Sequence, residues 1–203
     1  MRGIAMIVLV LLAACGKAPA PVATPAPAAA ELPKGDPVEG LRVATRLGCN
    51  GCHEKNAAGG VFMENAEVGR VVAPNLTERR HLYDDAGFAA LLHEGKTHDG
   101  HPPLGMPIHM FQYLSSSEVR DVTAWLRSLP DVANPLPKTE YSKPIAAAIA
   151  DGSLPYLDDA KADPGNVPPA TRPVEPLALG KYLAFTTCTE CHGRELNGWG
   201  PDD

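Results

Sequence analysis

Four of the five cysteines lie in two copies of a short pattern, in which two cysteines are separated by two residues and a histidine follows directly. The two thiols of such a pattern lie about one helical turn apart, so both can form thioethers with the vinyl groups on one edge of a porphyrin. The adjacent histidine can then bind the iron from one side. The sequence therefore predicts two sites for covalent c-type haem, whose attachment residues are Cys49 and Cys52, and Cys188 and Cys191. The predicted iron ligands on this side are His53 and His192.

Other chemistry is open to paired cysteines. They could form a disulfide or a thiol oxidoreductase centre, and two pairs together could bind zinc. A zinc site, however, does not require a histidine after both pairs. An oxidoreductase normally places its motif at the start of a helix beside a strand, and the sequence shows no such strand. Haem attachment is therefore the favoured interpretation.

Helix signals surround the first motif. Asp36 is a candidate N-cap with Pro37 at the first helical position, and the helix that follows runs into Cys49. A second helix is expected to start at Asp84 or Asp85, bury three apolar residues and stop at Gly95; the three are Phe88, Leu91 and Leu92. The third helix begins with a capping-box pattern and ends at a proline; its signals are Ser115, Glu118, Val119, Val122, Leu126, Leu129 and Pro130. Since no stretch alternates regularly between apolar and polar residues, the sequence predicts an all-α fold.

The pattern of helix start and cysteine motif occurs twice. Pro37 stands as far before Cys49 as Pro176 stands before Cys188. Each of these prolines also follows an acidic residue, Asp36 in the first copy and Glu175 in the second. Repetition of helix start, helix length and motif together is typical of a duplicated domain.

The first unit resembles the class I cytochrome c family over residues 36–132, about half of the chain. The resemblance rests on four landmarks in order: the haem motif, Pro74-Asn75-Leu76-Thr77, Gly105-Met106-Pro107, and a helix that ends at Trp125-Leu126-Arg127-Ser128-Leu129-Pro130. It implies a small helical domain around a covalent haem. It further implies that His53 is the proximal ligand, that the carbonyl of Pro74 orients the His53 ring, and that Met106 is the distal ligand.

Other residues compete with Met106 for the distal position. Met110 and three histidines lie in the same Gly/Pro-rich loop, namely His98, His101 and His109, while Met63 lies only ten residues after His53. Met106 stands between Gly105 and Pro107, where no apolar stripe explains it. A histidine and thioether pair favours ferrous iron, because the thioether is a soft ligand. We therefore expect Met106 to be the ligand.

The second motif is followed by only a short stretch, from Gly193 to Asp203, and this stretch contains no methionine. Residues 175–203 therefore resemble the start of another cytochrome c domain that lacks its distal loop and closing helix. The expected fold is thus one helical haem domain with a partial second copy. Two haem c groups are expected, the second with incomplete surroundings.

The N-terminus resembles an export signal. Arg2 is followed by an apolar stretch, Ile4 to Leu12, and then by Leu12-Ala13-Ala14-Cys15, which is similar to the lipobox of bacterial lipoproteins. Residues 1–14 are thus expected to be removed and Cys15 to be lipidated. Residues 15–35 are rich in Ala and Pro and form a tether, and residues 133–174 form a Pro-rich linker. The protein is expected on the periplasmic side of a bacterial membrane, held there by its lipid anchor.

The charge bears on possible partners. With 18 basic and 24 acidic residues the formal net charge is −6, and loss of Arg2 with the signal makes it −6 − 1 = −7. This argues against nucleic acid, whose binding requires a basic surface. The motifs favour an electron carrier that passes single electrons between redox proteins such as a dehydrogenase or an oxidase, and not an enzyme. A di-haem peroxidase-type enzyme, or a cytochrome subunit of a dehydrogenase or oxidase complex, is the alternative.

Overall fold

The computed structural model describes residues 34–154 and 157–198. The predicted export signal, Cys15 and nearly all of the tether lie outside these residues. Within the described ranges, no helix has the length and apolar character needed to cross a bilayer.

The described residues form nine α-helices, three short strands and a few turns of 3-10 and π-helix. The α-helices are α1 Pro37–Arg46, α2 Cys49–Cys52, α3 Leu76–Arg79, α4 Asp85–Glu94, α5 Ile108–Phe111, α6 Ser116–Ser128, α7 Lys143–Asp151, α8 Pro176–Leu183 and α9 Thr189–His192. The strands are β1 Gly60–Asn65, β2 Gly69–Ala73 and β3 Glu140–Tyr141. Two 3-10 segments, Arg80–Leu82 and Leu157–Ala160, and a π-helical turn, Ala184–Cys188, complete the set.

The three predicted helices of the first unit are present, but the first ends at Arg46 and does not run into Cys49, because Gly48 adopts a left-handed conformation. Asp36 caps α1, since its carboxylate accepts from the Val38 amide at 2.8 Å. Asp84 caps α4 by accepting from the Gly87 amide at 2.7 Å. Helix α4 ends at Gly95, whose φ of 69° is the left-handed conformation that commonly ends a helix. The predicted core residues of α4 and α6 are buried, except Leu129, which follows the end of α6 and is partly buried. Local capping chemistry thus set these boundaries as expected.

Helices α1 and α6 cross at close range and form the centre of the fold. A Cβ on Gly40 would lie 1.9 Å from the Asp121 carbonyl oxygen and 2.7 Å from the Trp125 Cβ. The absence of a side chain at Gly40 is therefore what lets the two backbones meet. The core beside this crossing is built from α1, α4, α5 and α6, and its members include Val43, Leu47, Phe88, Leu92, Ile108, Met110, Leu114, Val122 and Leu126.

The all-α prediction is wrong, because the described residues include a three-stranded antiparallel sheet in the order β1-β2-β3. In the β1–β2 hairpin Gly60 pairs with Ala73 and Asn65 with Gly69, with an irregularity between Val61 and Met63. Nearly every residue of β1 is exposed. A strand without a buried face has no reason to alternate apolar and polar residues, so the period-two signal is missing from the sequence.

The predicted linker, residues 133–174, lies against the first unit at several points. Its residues Glu140 and Tyr141 form β3, which pairs with Arg70 and Gly69 of β2. The amides of Ser116 and Ser117 in the first turn of α6 donate to the carbonyls of Pro169 and Ala170 at 2.9 and 3.0 Å. These bonds use amides that an isolated helix would leave without partners. The Pro-rich segment is therefore held to the core by backbone hydrogen bonds.

Candidate functional site

The first cysteine pair lies on a short helix that a glycine separates from α1. Gly48 has a φ of 75°, a left-handed conformation that ends α1 and turns the chain into α2. Cys49 and Cys52 lie at the two ends of α2, one turn apart, and both thiols are half-buried and free. Cys49 also packs against the hydrophobic core. Both sulfurs are thus presented on one turn, as attachment to one porphyrin edge requires.

His53 follows as the C-terminal cap of α2 and is buried, with 9% of its surface exposed. Its Nδ1 lies 3.0 Å from the carbonyl oxygen of Pro74. Because a carbonyl can only accept, Nδ1 carries the proton and Nε2 carries the lone pair. Burial lowers the pKa of His53, while the bond to Pro74 opposes that shift. A neutral imidazole with its Nδ1–H held by a carbonyl is the form in which histidine binds a metal.

The segment that carries the Pro74 carbonyl is fixed by its neighbours. The Asn75 side-chain carbonyl accepts from the Thr77 amide at 3.0 Å, and its amide group donates to the Val132 carbonyl at 2.7 Å. The Thr77 hydroxyl accepts from the Val132 amide at 3.0 Å. The Leu76 amide donates to the Ala57 carbonyl in the loop after the motif, at 2.8 Å. These contacts hold the Pro74 carbonyl in place opposite His53.

Met106 and Met110 have different surroundings, although both are on the loop expected to supply the distal ligand. Met110 is 1% exposed and forms part of the hydrophobic core. Met106 is only partly buried, lies at the edge of the same core that Cys49 borders, and follows Gly105, whose φ is 84°. The Met110 side chain is therefore enclosed by core residues, whereas Met106 lies at the edge of the core, where a haem could contact it.

The histidines that competed with Met106 each have other neighbours. His98 stacks edge-on against Tyr83, with 5.4 Å between ring centroids, and the side chain of His101 is 83% exposed. His109 is buried, and its Nδ1 lies 3.3 Å from a carboxylate oxygen of Asp159. Met63 lies on the exposed strand β1. These contacts leave Met106 as the best candidate for the distal position.

The segments that follow the two motifs have the same backbone conformation. Positive φ angles follow His53 at Glu54, Ala57 and Gly59, and they follow His192 at the equivalent positions, Gly193, Leu196 and Gly198. The Gly59 amide donates to the His53 carbonyl at 3.0 Å, and the Gly198 amide donates to the His192 carbonyl at 2.9 Å. The sequence repeat is therefore also a repeat of local structure.

The two motifs differ in their surroundings. Cys188 and Cys191 are exposed, whereas Cys49 and Cys52 are half-buried. His192 is also exposed, in contrast to His53. The first motif thus lies within a formed core, and the second lies at the surface of the described residues.

The two motifs also influence each other electrostatically. Burial raises the pKa of the Cys49 thiol to about 12, and the negative charge of Glu190, between the cysteines of the second motif, adds to the increase. Burial and the same carboxylate raise the pKa of Cys52. Both thiols of the first pair are therefore held in the protonated form.

One contributor to the site was not predicted from the sequence. The side-chain amide of Asn134 donates to the carbonyls of Ala58 and Gly59, at 2.9 and 3.1 Å. It thereby fixes the loop that connects the first motif to the hairpin. Asn134 stands in a Pro-rich stretch without a motif, so no local signal marks it.

Among residues 34–154 and 157–198, no group of three or more His, Cys, Asp and Glu side chains is arranged to hold a metal ion. Comparison with protein-family models, with curated proteins and with solved structures found no match.

Proposed function

We propose that the chain is a c-type cytochrome that carries single electrons between redox proteins and does not itself transform a substrate. The observation that carries the proposal is the geometry of His53, which is buried, neutral and bonded through Nδ1 to the Pro74 carbonyl. That geometry leaves Nε2 available beside two free thiols on one helical turn. Haem bound there would supply one-electron chemistry at its iron.

The chain's own residues have distinct roles in this proposal. Cys49 and Cys52 would hold the haem covalently, and His53 and Met106 would bind its iron. The Pro74 carbonyl fixes the His53 ring and makes it a stronger ligand. Cys188, Cys191 and His192 would take the corresponding roles for a second haem c group.

The proposed location follows from the N-terminal residues. Cys15 would carry the lipid anchor and hold the protein on the periplasmic side of a bacterial membrane. Each buried methylene of an acyl chain contributes about 0.8 kcal/mol of membrane affinity. The intact mass of the purified protein tests this, since cleavage before Cys15 and acylation change it in opposite directions. An unmodified Cys15 in the mature chain would contradict the anchor.

The test of the function is whether porphyrin is covalently bound after expression in a host that matures c-type cytochromes. We expect haem to stay with the chain through a denaturing gel and acidic butanone extraction, at two groups per chain. The Cys49→Ala/Cys52→Ala variant should retain one group, and the Cys188→Ala/Cys191→Ala variant, its matched control, should retain the other. Complete loss of porphyrin from the wild type into butanone would overturn the proposal.

A further inference from the structure

A buried carboxylate links the two halves of the described chain. Glu118, near the start of α6, is 4% exposed. The Glu118 carboxylate accepts from the Arg46 guanidinium at 2.9 Å and from the Tyr182 hydroxyl. The Arg172 guanidinium lies 3.8 Å from its other oxygen. A carboxylate this buried is stable only with such partners, because desolvation is costly for a charge.

The sequence predicts a different role for Glu118. In a capping box the glutamate would reach back to the amide of Ser115. In the structure Ser115 does cap α6, by accepting from the Glu118 amide at 3.2 Å. The Ser115 amide, however, donates to the Tyr182 hydroxyl at 2.8 Å. Tyr182 therefore takes the place expected for the Glu118 carboxylate, which is free to bind Arg46.

Tyr182 is the main contact of α8 with the rest of the protein. It is the buried residue of α8, while Leu177 on the same helix is 81% exposed. The Arg46 guanidinium also lies over the Tyr182 ring, 5.8 Å from its centroid, within range of a cation–π interaction. Farther along, the ring of Phe185 packs edge-on against Tyr113 at 5.4 Å. Helix α8 is thus held by the buried contact of Tyr182 with charged side chains, and the π-helical turn after it is held by the contact of Phe185 with Tyr113.

These contacts lie close to both motifs along the chain. Arg46 stands three residues before Cys49, and Tyr182 stands six residues before Cys188.

We propose that Arg46, Glu118 and Tyr182 are positioning residues that hold α8, which leads into the second motif, against α1 and α6, so that the two haem groups keep one fixed, short separation and exchange electrons within the chain. The inference rests on the proposed function, since it requires both motifs to carry haem. In this role the three side chains would contact neither haem. They act by joining α1, α6 and α8.

The test measures coupling between the haem groups in the loaded, full-length protein. Two haems at a fixed short distance give an exciton couplet in the Soret circular dichroism, which is isolated by subtracting the spectra of the two one-haem variants, Cys49→Ala/Cys52→Ala and Cys188→Ala/Cys191→Ala. We expect the couplet in the wild type and a loss of at least half its amplitude in Tyr182→Phe and in Glu118→Gln. Tyr141→Phe, in β3, is the matched control and should keep the full couplet.

The outcomes separate the inference from the proposed function. Two covalent haems with a full couplet in Tyr182→Phe, or with no couplet in the wild type, would overturn the positioning role and leave the function intact. Absence of covalent haem would overturn the function itself. Should the variants not fold, pulsed electron paramagnetic resonance on the wild type decides the matter. One narrow iron–iron distance supports the inference, and a broad distribution overturns it.

Discussion

The proposed distal ligand depends on single residues, because Met106 lies in the loop before α5 whereas Met110 lies on α5, and the two have different environments. Met110 is enclosed by the core, and Met106 lies at its edge. A core methionine contributes packing, whereas a ligand must present its sulfur to the iron. Burial therefore separates the two residues where sequence spacing alone could not.

We expect Met106→Ala to lower the reduction potential of the first haem and to open its iron to added imidazole or cyanide, because a soft axial ligand is lost. Met110→Ala should leave the potential and ligand binding unchanged and lower the free energy of unfolding by about 2 to 5 kcal/mol through the cavity it creates. Spectroelectrochemistry and ligand titration measure the first effect, and denaturant unfolding the second. If instead Met110→Ala opened the iron, Met110 would be the ligand.

Among the elements, the site depends on how α1 and α6 cross and on the hairpin between His53 and Pro74. The crossing places Gly40 against the backbone of Asp121. The hairpin brings Pro74 back beside His53, 21 residues away in sequence. Neither arrangement follows from local propensity, because each depends on residues that are distant along the chain.

The two mid-helix glycines Gly40 and Gly180 make a matched pair for testing the crossing. We expect Gly40→Ala to lower the free energy of unfolding by about 1 to 3 kcal/mol, since its Cβ would overlap the Asp121 carbonyl. Gly180→Ala in α8 meets nothing within 4 Å and should raise that free energy by about 1 kcal/mol, because alanine favours helix. Denaturant unfolding of both haem-loaded variants measures the difference. Equal effects would contradict the close crossing.

For the molecule as a whole, the charge of the chain is the property most relevant to its partners. The net charge of −6 becomes −7 without the signal. Complementary charge speeds encounter between proteins, and this effect weakens as salt shortens the Debye length. Under the proposed function, this acidic charge suits a basic redox partner.

We expect electron exchange with a basic cytochrome to slow as ionic strength rises from about 0.01 to 0.15 M, over which the Debye length falls from about 30 to 8 Å. Exchange with ferricyanide, an anion, should become faster over the same range and serves as the control. Stopped-flow absorbance at the Soret band measures both rates. A rate with the basic partner that is constant or increases with salt would contradict this expectation.

The features that could be predicted from the residues alone were local: the two motifs, their repetition along the chain, and helix starts at Asp36, Asp84 and Ser115. Each depends on residues within a few positions of one another, so the signal is complete in a short window. The tertiary structure decided what depends on distant neighbours. Strand β1 is exposed, so its sequence has no alternation of apolar and polar residues. Glu118, which the sequence assigned to a capping box, instead pairs with Arg46 and Tyr182. Its partners lie 72 and 64 residues away, and only packing of the folded chain brings their charges and hydroxyl together.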